Sequence, residues 1–232
     1  MIGTEVHDLA RPLRPQEFGS RRPRHIDDAL VEPAWPGLRV FGAVGGGRGT
    51  IWADGEPIDE HEALAAALHR AAGSVTDGAI FDGYLTKQIA SEGVGVHTWV
   101  NEYPTMAGQM SRMLIGGRRN RLEELEQRRE AEVAELALDD VDAVNLVLVD
   151  LLWLDGQWLL DVPLLERKRV LDSILEPEQL VRVGPYVREP LGSWIGSWRA
   201  QGFRGMTFKA ANSRYRPGET ADEWTQADMP RR

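Results

Sequence analysis

The chain has 232 residues, of which 42% are hydrophobic, and its formal net charge is -9. This length is enough to bury a sizeable core in one large domain. The negative charge disfavours a protein that coats nucleic acid, because such binding depends on many lysine and arginine contacts to phosphates. Cysteine is absent, which excludes disulfides and thiol nucleophiles. With no apolar run of membrane-spanning length and no signal peptide, we expect a cytoplasmic protein without membrane contact.

The first predicted element in chain order is a hairpin. Residues 1–29 are rich in proline, arginine and polar side chains without a hydrophobic period, which predicts an extended lead-in. From Leu38 the segment LRVFGAV, a glycine cluster and TIWA then predict two strands joined by a turn. The cluster lacks the Gly-Lys-Ser/Thr ending of a phosphate-binding loop, so we interpret it as the hairpin turn.

A helix, a strand and an acidic insertion are predicted next. Strong helix formers over 61–72 predict a helix that ends at Gly73, and AIFDGYLT predicts a strand over 79–86. A charged helical insertion is expected around 116–142, where an acidic stretch carries a short apolar stripe. A solvated helix is the favoured interpretation of this insertion, with a coiled-coil arm as the alternative.

The second half of the chain alternates strands and helices. NLVLVDLLWLDG predicts a fully buried strand that reaches an Asp-Gly turn, and PLLERKRVLDSIL predicts a helix with Pro163 in its first turn and Lys168 on its outer surface. VRVGPYV, LGSWIGSWRAQG and GMTFKAA predict a strand, a helix and a final strand. Without repeats or a second linker, residues 30–232 are predicted to form one α+β domain.

Five segments follow one another in a characteristic order: VEPAWPGLR, IFDGYL, LVDLLWLDG, GFRGMTFK and NSRYRPG with a later tryptophan. Together they resemble the ordered motifs of ATP-dependent DNA ligases, most closely the bacterial end-joining type. The resemblance implies an α+β, ligase-type nucleotidyltransferase (ATP-grasp-like) fold of antiparallel sheets flanked by helices. Since the chain ends soon after the last motif, we expect no oligonucleotide-binding-fold domain.

The resemblance also implies that catalytic groups are missing from the first three motifs. Ala34 stands at the position of the nucleophilic lysine, and a methyl group cannot attack a phosphate. Pro36 stands at the position of an aspartate, and Val149 at that of the aromatic residue that stacks on adenine. Tyr84 replaces the glutamate that engages the ribose, and we hypothesise that its ring fills the ribose space. The alternative is a tolerated surface aromatic.

The last two motifs have lost charges that the family uses around the phosphates. Arg204 replaces the metal-associated glutamate, which reverses the charge at a place meant to hold a cation. Gln226 and Asp228 replace the two lysines that orient the triphosphate. We therefore expect no metal site and no catalytic residue.

Three polar residues keep the family pattern and outline a vestigial nucleotide site. Glu32 matches the residue that reads the adenine amino group, Arg39 the arginine beside the ribose and phosphate, and Lys209 the lysine of the fourth motif. A relocated nucleophile would have to be one of only three lysines, and Lys209 alone is expected to face the pocket. A general preference of this sequence for arginine over lysine does not explain the missing lysines, because their positions carry Ala34, Gln226 and Asp228 and not arginine.

Three function classes remain open. The favoured hypothesis is a catalytically inactive, ligase-like module that binds a protein partner in DNA repair or a mobile-element system, through the acidic helix 121–138 or the segment 87–115. The second is a weak binder of ATP or AMP, and the third an active ligase or nucleotidyltransferase with an unorthodox nucleophile. Nucleic-acid contact is expected to be weak, since the edge from Glu219 to Glu223 is acidic. A basic cluster keeps such contact open, namely Arg112, Arg118, Arg119 and Arg121.

Overall fold

The computed structural model describes residues 2–88, 144–176 and 178–230. The acidic insertion and the basic cluster lie outside these ranges. In chain order the helices and strands are α1 (Ile2–Ala10), β1 (Glu17–Gly19), β2 (Ala29–Pro33), β3 (Leu38–Gly45), β4 (Arg48–Ala53), β5 (Glu56–Pro57), α2 (Glu62–Ala71), β6 (Ala79–Thr86), β7 (Asn145–Leu154), β8 (Gln157–Trp158), α3 (Leu164–Ile174), β9 (Val181–Val183), α4 (Gly192–Ala200), β10 (Gly205–Ala210) and β11 (Thr220–Asp228).

The strands form two sheets, which confirms the α+β class. The small sheet has the order β1-β11-β10-β2, and the large sheet has the order β5-β4-β3-β6-β7-β8, with β9 also paired to β7. Most pairs are antiparallel, as expected. Two pairs are parallel, since β1 runs parallel to β11 and β9 runs parallel to β7.

The hairpin and the buried strand of the sequence analysis are both present. Strands β3 and β4 are joined at Gly46 and Gly47, which adopt φ of 60° and 77°. These left-handed conformations explain why the turn is built from glycine. Strand β7 is buried along nearly its whole length, as its continuous apolar run predicts. It ends at a turn where the side chain of Asp155 accepts hydrogen bonds from the backbone N–H groups of residues 76–78.

Helix α3 forms where it was predicted, but Lys168 does not lie on its surface. Leu164, Arg167, Lys168 and Leu171 are all buried. Their spacing places them on one helical face, which packs against β7. The prediction that Lys168 lies on the surface is therefore wrong. Lys168 shares a helical face with Leu164 and Leu171, and the packing of that face against β7 buries all three side chains.

The N-terminal residues are not simply an extended lead-in. Helix α1 packs against β3, with Val6 and Ala10 buried in the core. His7 Nε2 contacts the carbonyl oxygen of Gly45 at 3.1 Å, and Nδ1 lies 2.7 Å from Thr50 Oγ1. The extended prediction is wrong for this part, because Val6 and Ala10 lie one turn apart on the face of a short helix that packs on β3.

Strand β11 was not predicted as a strand. It contains Asp222 and Glu223 of the acidic segment and pairs with both β10 and β1. Its buried residues, Ala221, Trp224 and Thr225, do not alternate strictly with exposed ones, so the period of a half-buried strand is obscured. None of the helices in the described ranges is long and apolar enough to cross a membrane.

Candidate functional site

One face of the small sheet carries two of the three retained motif residues, Glu32 and Lys209. Glu32 on β2 lies opposite Thr207 on β10, and Thr207 lies opposite Gln226 on β11. Residues directly opposite one another in antiparallel strands share a face, and so do residues two apart on one strand. Lys209 and Trp224, which also oppose each other, therefore lie on the face of Glu32. Strand pairing thus brings Glu32 and Lys209 together, as the motif pattern implies.

The carboxylate of Glu32 is held by two lysines. Lys209 Nζ donates a hydrogen bond to Oε2 at 2.9 Å, and Lys168 Nζ lies 2.7 Å from Oε1. The side chains are almost inaccessible to solvent, with exposed fractions of 2% for Glu32 and Lys209 and 0% for Lys168. We call these three residues the Lys–Glu–Lys cluster. The place of Lys168 in this cluster was not predicted from the sequence.

Each ammonium group of the cluster has a further internal contact. Lys168 Nζ donates a hydrogen bond to the carbonyl oxygen of Val149 at 2.7 Å and lies 5.0 Å from the centre of the Tyr186 ring. Lys209 Nζ lies 4.6 Å from the centre of the Trp224 ring. Cation–π contacts of this kind stabilise a desolvated ammonium group. The two lysines are thus bound within the protein.

Burial and mutual charge set the ionisation of the cluster. Burial would raise the pKa of Glu32, but the charges of Lys168 and Lys209 outweigh it and lower that pKa. Burial is also the main influence on Lys209 and lowers its pKa, with Glu32 opposing and Lys168 assisting. Glu32 is therefore ionised at neutral pH. Two lysine side chains contact this one carboxylate.

Arg39 is close to the cluster but bound to a different carboxylate. Its Nε and Nη2 atoms donate to the two oxygens of Asp82 at 3.0 and 2.6 Å, and Nη1 donates to the carbonyl oxygen of Gln16 at 2.7 Å. Tyr215 donates its hydroxyl proton to Asp82 at 2.8 Å. Burial would lower the pKa of Arg39, but Asp82 raises it overall. Arg39 is near enough to Lys209 to contribute to the lowering of its pKa.

Val149, one of the substituted motif positions, lies on β7 in an apolar part of the interior. Val149 is fully buried, and Trp35 is buried beside it. A Cβ atom added at Gly184 would lie 3.1 Å from Val149 Cγ1 and 3.2 Å from Trp35 Nε1, so this part of the interior is closely packed. The ring of Tyr84 is half-buried and lies 5.9 Å from the Arg39 guanidinium carbon. Burial raises the pKa of Tyr84 to about 12, so its hydroxyl is neutral.

The remaining substituted positions lie on or next to the small sheet, and most of them are exposed to solvent. The backbone N–H of Ala34 donates to the carbonyl oxygen of Gly205 at 2.9 Å, which brings Ala34 beside the start of β10. Pro36, Arg204, Gln226 and Asp228 are exposed. In the ranges that the structure describes, no three histidine, cysteine or acidic side chains are grouped so that they could hold a metal ion.

A second buried ion pair joins Arg167, the residue before Lys168 on α3, to Asp150 on β7. Arg167 donates to both oxygens of Asp150, at 2.8 Å each, and also to the carbonyl oxygens of Val162 and Ser213. Burial would raise the pKa of Asp150, but Arg167 lowers it overall. Sequence reasoning missed this pair, and also Lys168. The available signal was the position of Arg167 and Lys168 between Leu164 and Leu171 at helical spacing.

Comparison with known proteins agrees with the motif pattern. Residues 116–227 match a family model described as the ATP dependent DNA ligase domain. A DNA ligase from Methanothrix thermoacetophila is 38% identical over 90 residues, which cover 35% of this chain and 15% of that ligase. The chain thus corresponds to a small part of this relative.

Solved structures of ligase domains share the fold. The ligase domain of M. tuberculosis LigD matches with a TM-score of 0.61 at 19% identity, and a mycobacterial DNA ligase D complexed with ATP and MES matches with a TM-score of 0.61 at 20% identity. Each match covers 94% of this chain and 60% of the other. The chain thus has the fold of the nucleotidyltransferase domain of ATP-dependent DNA ligases, and part of its sequence is similar to theirs.

Proposed function

We propose that this chain is a ligase-like domain without adenylation activity, which serves as a binding or scaffolding module. The main support is the Lys–Glu–Lys cluster beside Ala34. An adenylating lysine must present a neutral amine in line with the α-phosphate. Ala34 has no amine, and the ammonium groups of Lys168 and Lys209 are bound to Glu32 in the interior.

Incubation with ATP labelled at the α-phosphate, together with Mg²⁺ or Mn²⁺, tests this proposal. We expect no covalently labelled protein, while an active ligase assayed in parallel becomes labelled. A labelled band would contradict the proposal and favour the alternative, an active enzyme with an unorthodox nucleophile. Because the chain has only three lysines, peptide mass mapping would then identify the residue that carries the adenylate.

The Ala34→Lys variant is expected to remain unlabelled in the same assay. The acidic group for a metal would still be missing, because Arg204 stands at its position, and so would the two positive charges for the triphosphate, because Gln226 and Asp228 stand at theirs. The matched control is Ala34→Met, which adds similar bulk without an amine. Labelling of Ala34→Lys but not of Ala34→Met would show that the lost lysine is the only defect and would overturn this expectation.

Weak binding of ATP or AMP is a second candidate function. The observation that favours it is the contact between Glu32 and Lys209, two of the three residues that keep the family pattern; the third, Arg39, is bound to Asp82. Calorimetry with ATP and with AMP tests it, and we expect weak but saturable heats. The absence of any heat at millimolar nucleotide would eliminate this function and leave the scaffolding role.

A protein partner in DNA repair or a mobile-element system is part of the same proposal. The exposed side chains of Glu219 and Asp222 support it, because their charge disfavours a phosphate backbone along this edge. Fluorescence anisotropy with nicked duplex DNA is the direct test. Saturable binding of the DNA at physiological salt would contradict a protein partner at this edge and would indicate that the module binds DNA.

A further inference from the structure

The strongest unexplained feature of the site is the position of Lys168. Lys209 stands on β10, next to β2, so its contact with Glu32 arises within the small sheet. Lys168 comes instead from α3, which packs on β7 of the large sheet. Its Nζ atom lies 2.7 Å from Glu32 on the small sheet and 2.7 Å from the carbonyl oxygen of Val149 on the large sheet. The ammonium group therefore fills the space between these two atoms.

We propose that Lys168 is an internal competitor for Glu32, which weakens the binding of a neutral, amino-bearing ring such as a nucleobase. This inference rests on the second proposed function, the weak binding of ATP or AMP, with Glu32 in the role that the family resemblance implies, as acceptor for the amino group of the base. An ammonium group attracts a carboxylate more strongly than a neutral amino group does, because it carries a full charge, and Lys168 Nζ lies 2.7 Å from Glu32 Oε1. A base that reaches Glu32 must also leave the Lys168 ammonium buried without its carboxylate, which is unfavourable.

Charge balance indicates that Lys168 is not needed to neutralise Glu32. With both lysines the cluster carries one net positive charge, and without Lys168 the pair of Glu32 and Lys209 is neutral. Removal of Lys168 thus leaves no buried charge without a partner, whereas removal of Glu32 would leave two.

Unsatisfied polar atoms next to the cluster support a ligand that carries polar groups. Thr207 Oγ1 is buried without a hydrogen-bond partner, and Thr207 lies directly opposite Glu32 on the same face. Trp35 Nε1, close to Gly184 and Val149, is also buried without a partner. An unsatisfied buried donor or acceptor is unfavourable, and a bound ligand with complementary groups would satisfy it.

The Lys168→Met variant tests the proposal in the full chain, by calorimetry with adenosine and with AMP. Methionine keeps most of the bulk of the side chain and removes the ammonium group. We expect both ligands to bind at least roughly tenfold more tightly than to the unsubstituted protein. The matched control is Arg169→Met, which removes a positive charge from the next residue of α3, where the side chain is 61% exposed and paired with Glu166. This control should bind as the unsubstituted protein does.

Three outcomes would overturn the proposal. The first is unchanged affinity in Lys168→Met, and the second is an equal gain in Arg169→Met, which would indicate a general effect of charge. The third is binding of pyrophosphate to the unsubstituted protein that disappears in Lys168→Met, because the cluster would then be an anion site. None of these results bears on adenylation, which the labelling assay tests separately.

A second measurement covers the case in which Lys168→Met does not fold. Nuclear magnetic resonance of the chain with ¹⁵N-labelled lysine reports on only three ammonium groups. The proposal requires a Lys168 ammonium signal that exchanges slowly with solvent, identified by its loss in the charge-preserving Lys168→Arg variant. Absence of such a signal would show that Lys168 is not held against Glu32, and the proposal would fail.

Discussion

Replacement of Glu32 by glutamine is expected to lower the free energy of unfolding by about 3–5 kcal/mol, the usual cost of removing one partner from a buried ion pair. The substitution keeps the shape of the side chain but leaves the ammonium groups of Lys168 and Lys209 buried without a counter-charge. Urea denaturation followed by tryptophan fluorescence measures the change, since Trp224 lies directly beside Lys209.

The matched control for this prediction is Glu166→Gln. Glu166 forms an ion pair with Arg169 at 2.9 Å, but both side chains are at least half exposed. Exposed pairs contribute little because water and salt screen them, so we expect a change below about 1 kcal/mol. If the two variants were equally stable, the Lys–Glu–Lys cluster would not be the buried, charged assembly described above.

Replacement of Asp150 by asparagine is expected to lower the free energy of unfolding by a similar amount, about 3–5 kcal/mol. Arg167 is fully buried and binds both carboxylate oxygens, so an amide leaves the guanidinium group uncompensated. The backbone N–H of Leu151 also donates to Asp150 at 2.9 Å. Thermal and urea unfolding of the purified variant measure the loss.

Asp28→Asn is the control for Asp150→Asn. Asp28 also pairs with an arginine, Arg188, at 3.3 Å, but the two side chains are 52% and 43% exposed. The change in unfolding free energy should therefore be small, as for other surface pairs. A loss in Asp28→Asn as large as that in Asp150→Asn would indicate that burial does not determine the strength of these pairs.

Local pattern predicts the elements whose burial is regular. The hairpin of β3 and β4 has a distinct turn chemistry, and β7 has an unbroken apolar run, so both follow from short stretches of sequence. Helix α1 and strand β11 do not follow, because each owes its structure to partners far away in the chain. Helix α1 packs on β3, and β11 requires β10 and β1 on its two sides.

The site could be predicted only in part for the same physical reason. The order of the motifs implies that Glu32 and Lys209 are neighbours, and the pairing of β2 with β10 brings them together. Lys168 carries no such signal, because a lysine on a helix is usually solvated. The helical spacing of Lys168 with Leu164 and Leu171 indicates the buried face of α3, but no short-range pattern reveals its pairing with a carboxylate 136 residues away in the sequence.

The hydrogen bond from Tyr215 to Asp82 has a consequence for motion. Tyr215 lies between β10 and β11 of the small sheet, whereas Asp82 belongs to β6 of the large sheet. The nearby Ser213 accepts a hydrogen bond from Arg167 of α3 and another from Trp224 of β11. These contacts fasten the sheets to each other at the inner end of the site. A hinge that spreads the sheets would have to break these hydrogen bonds.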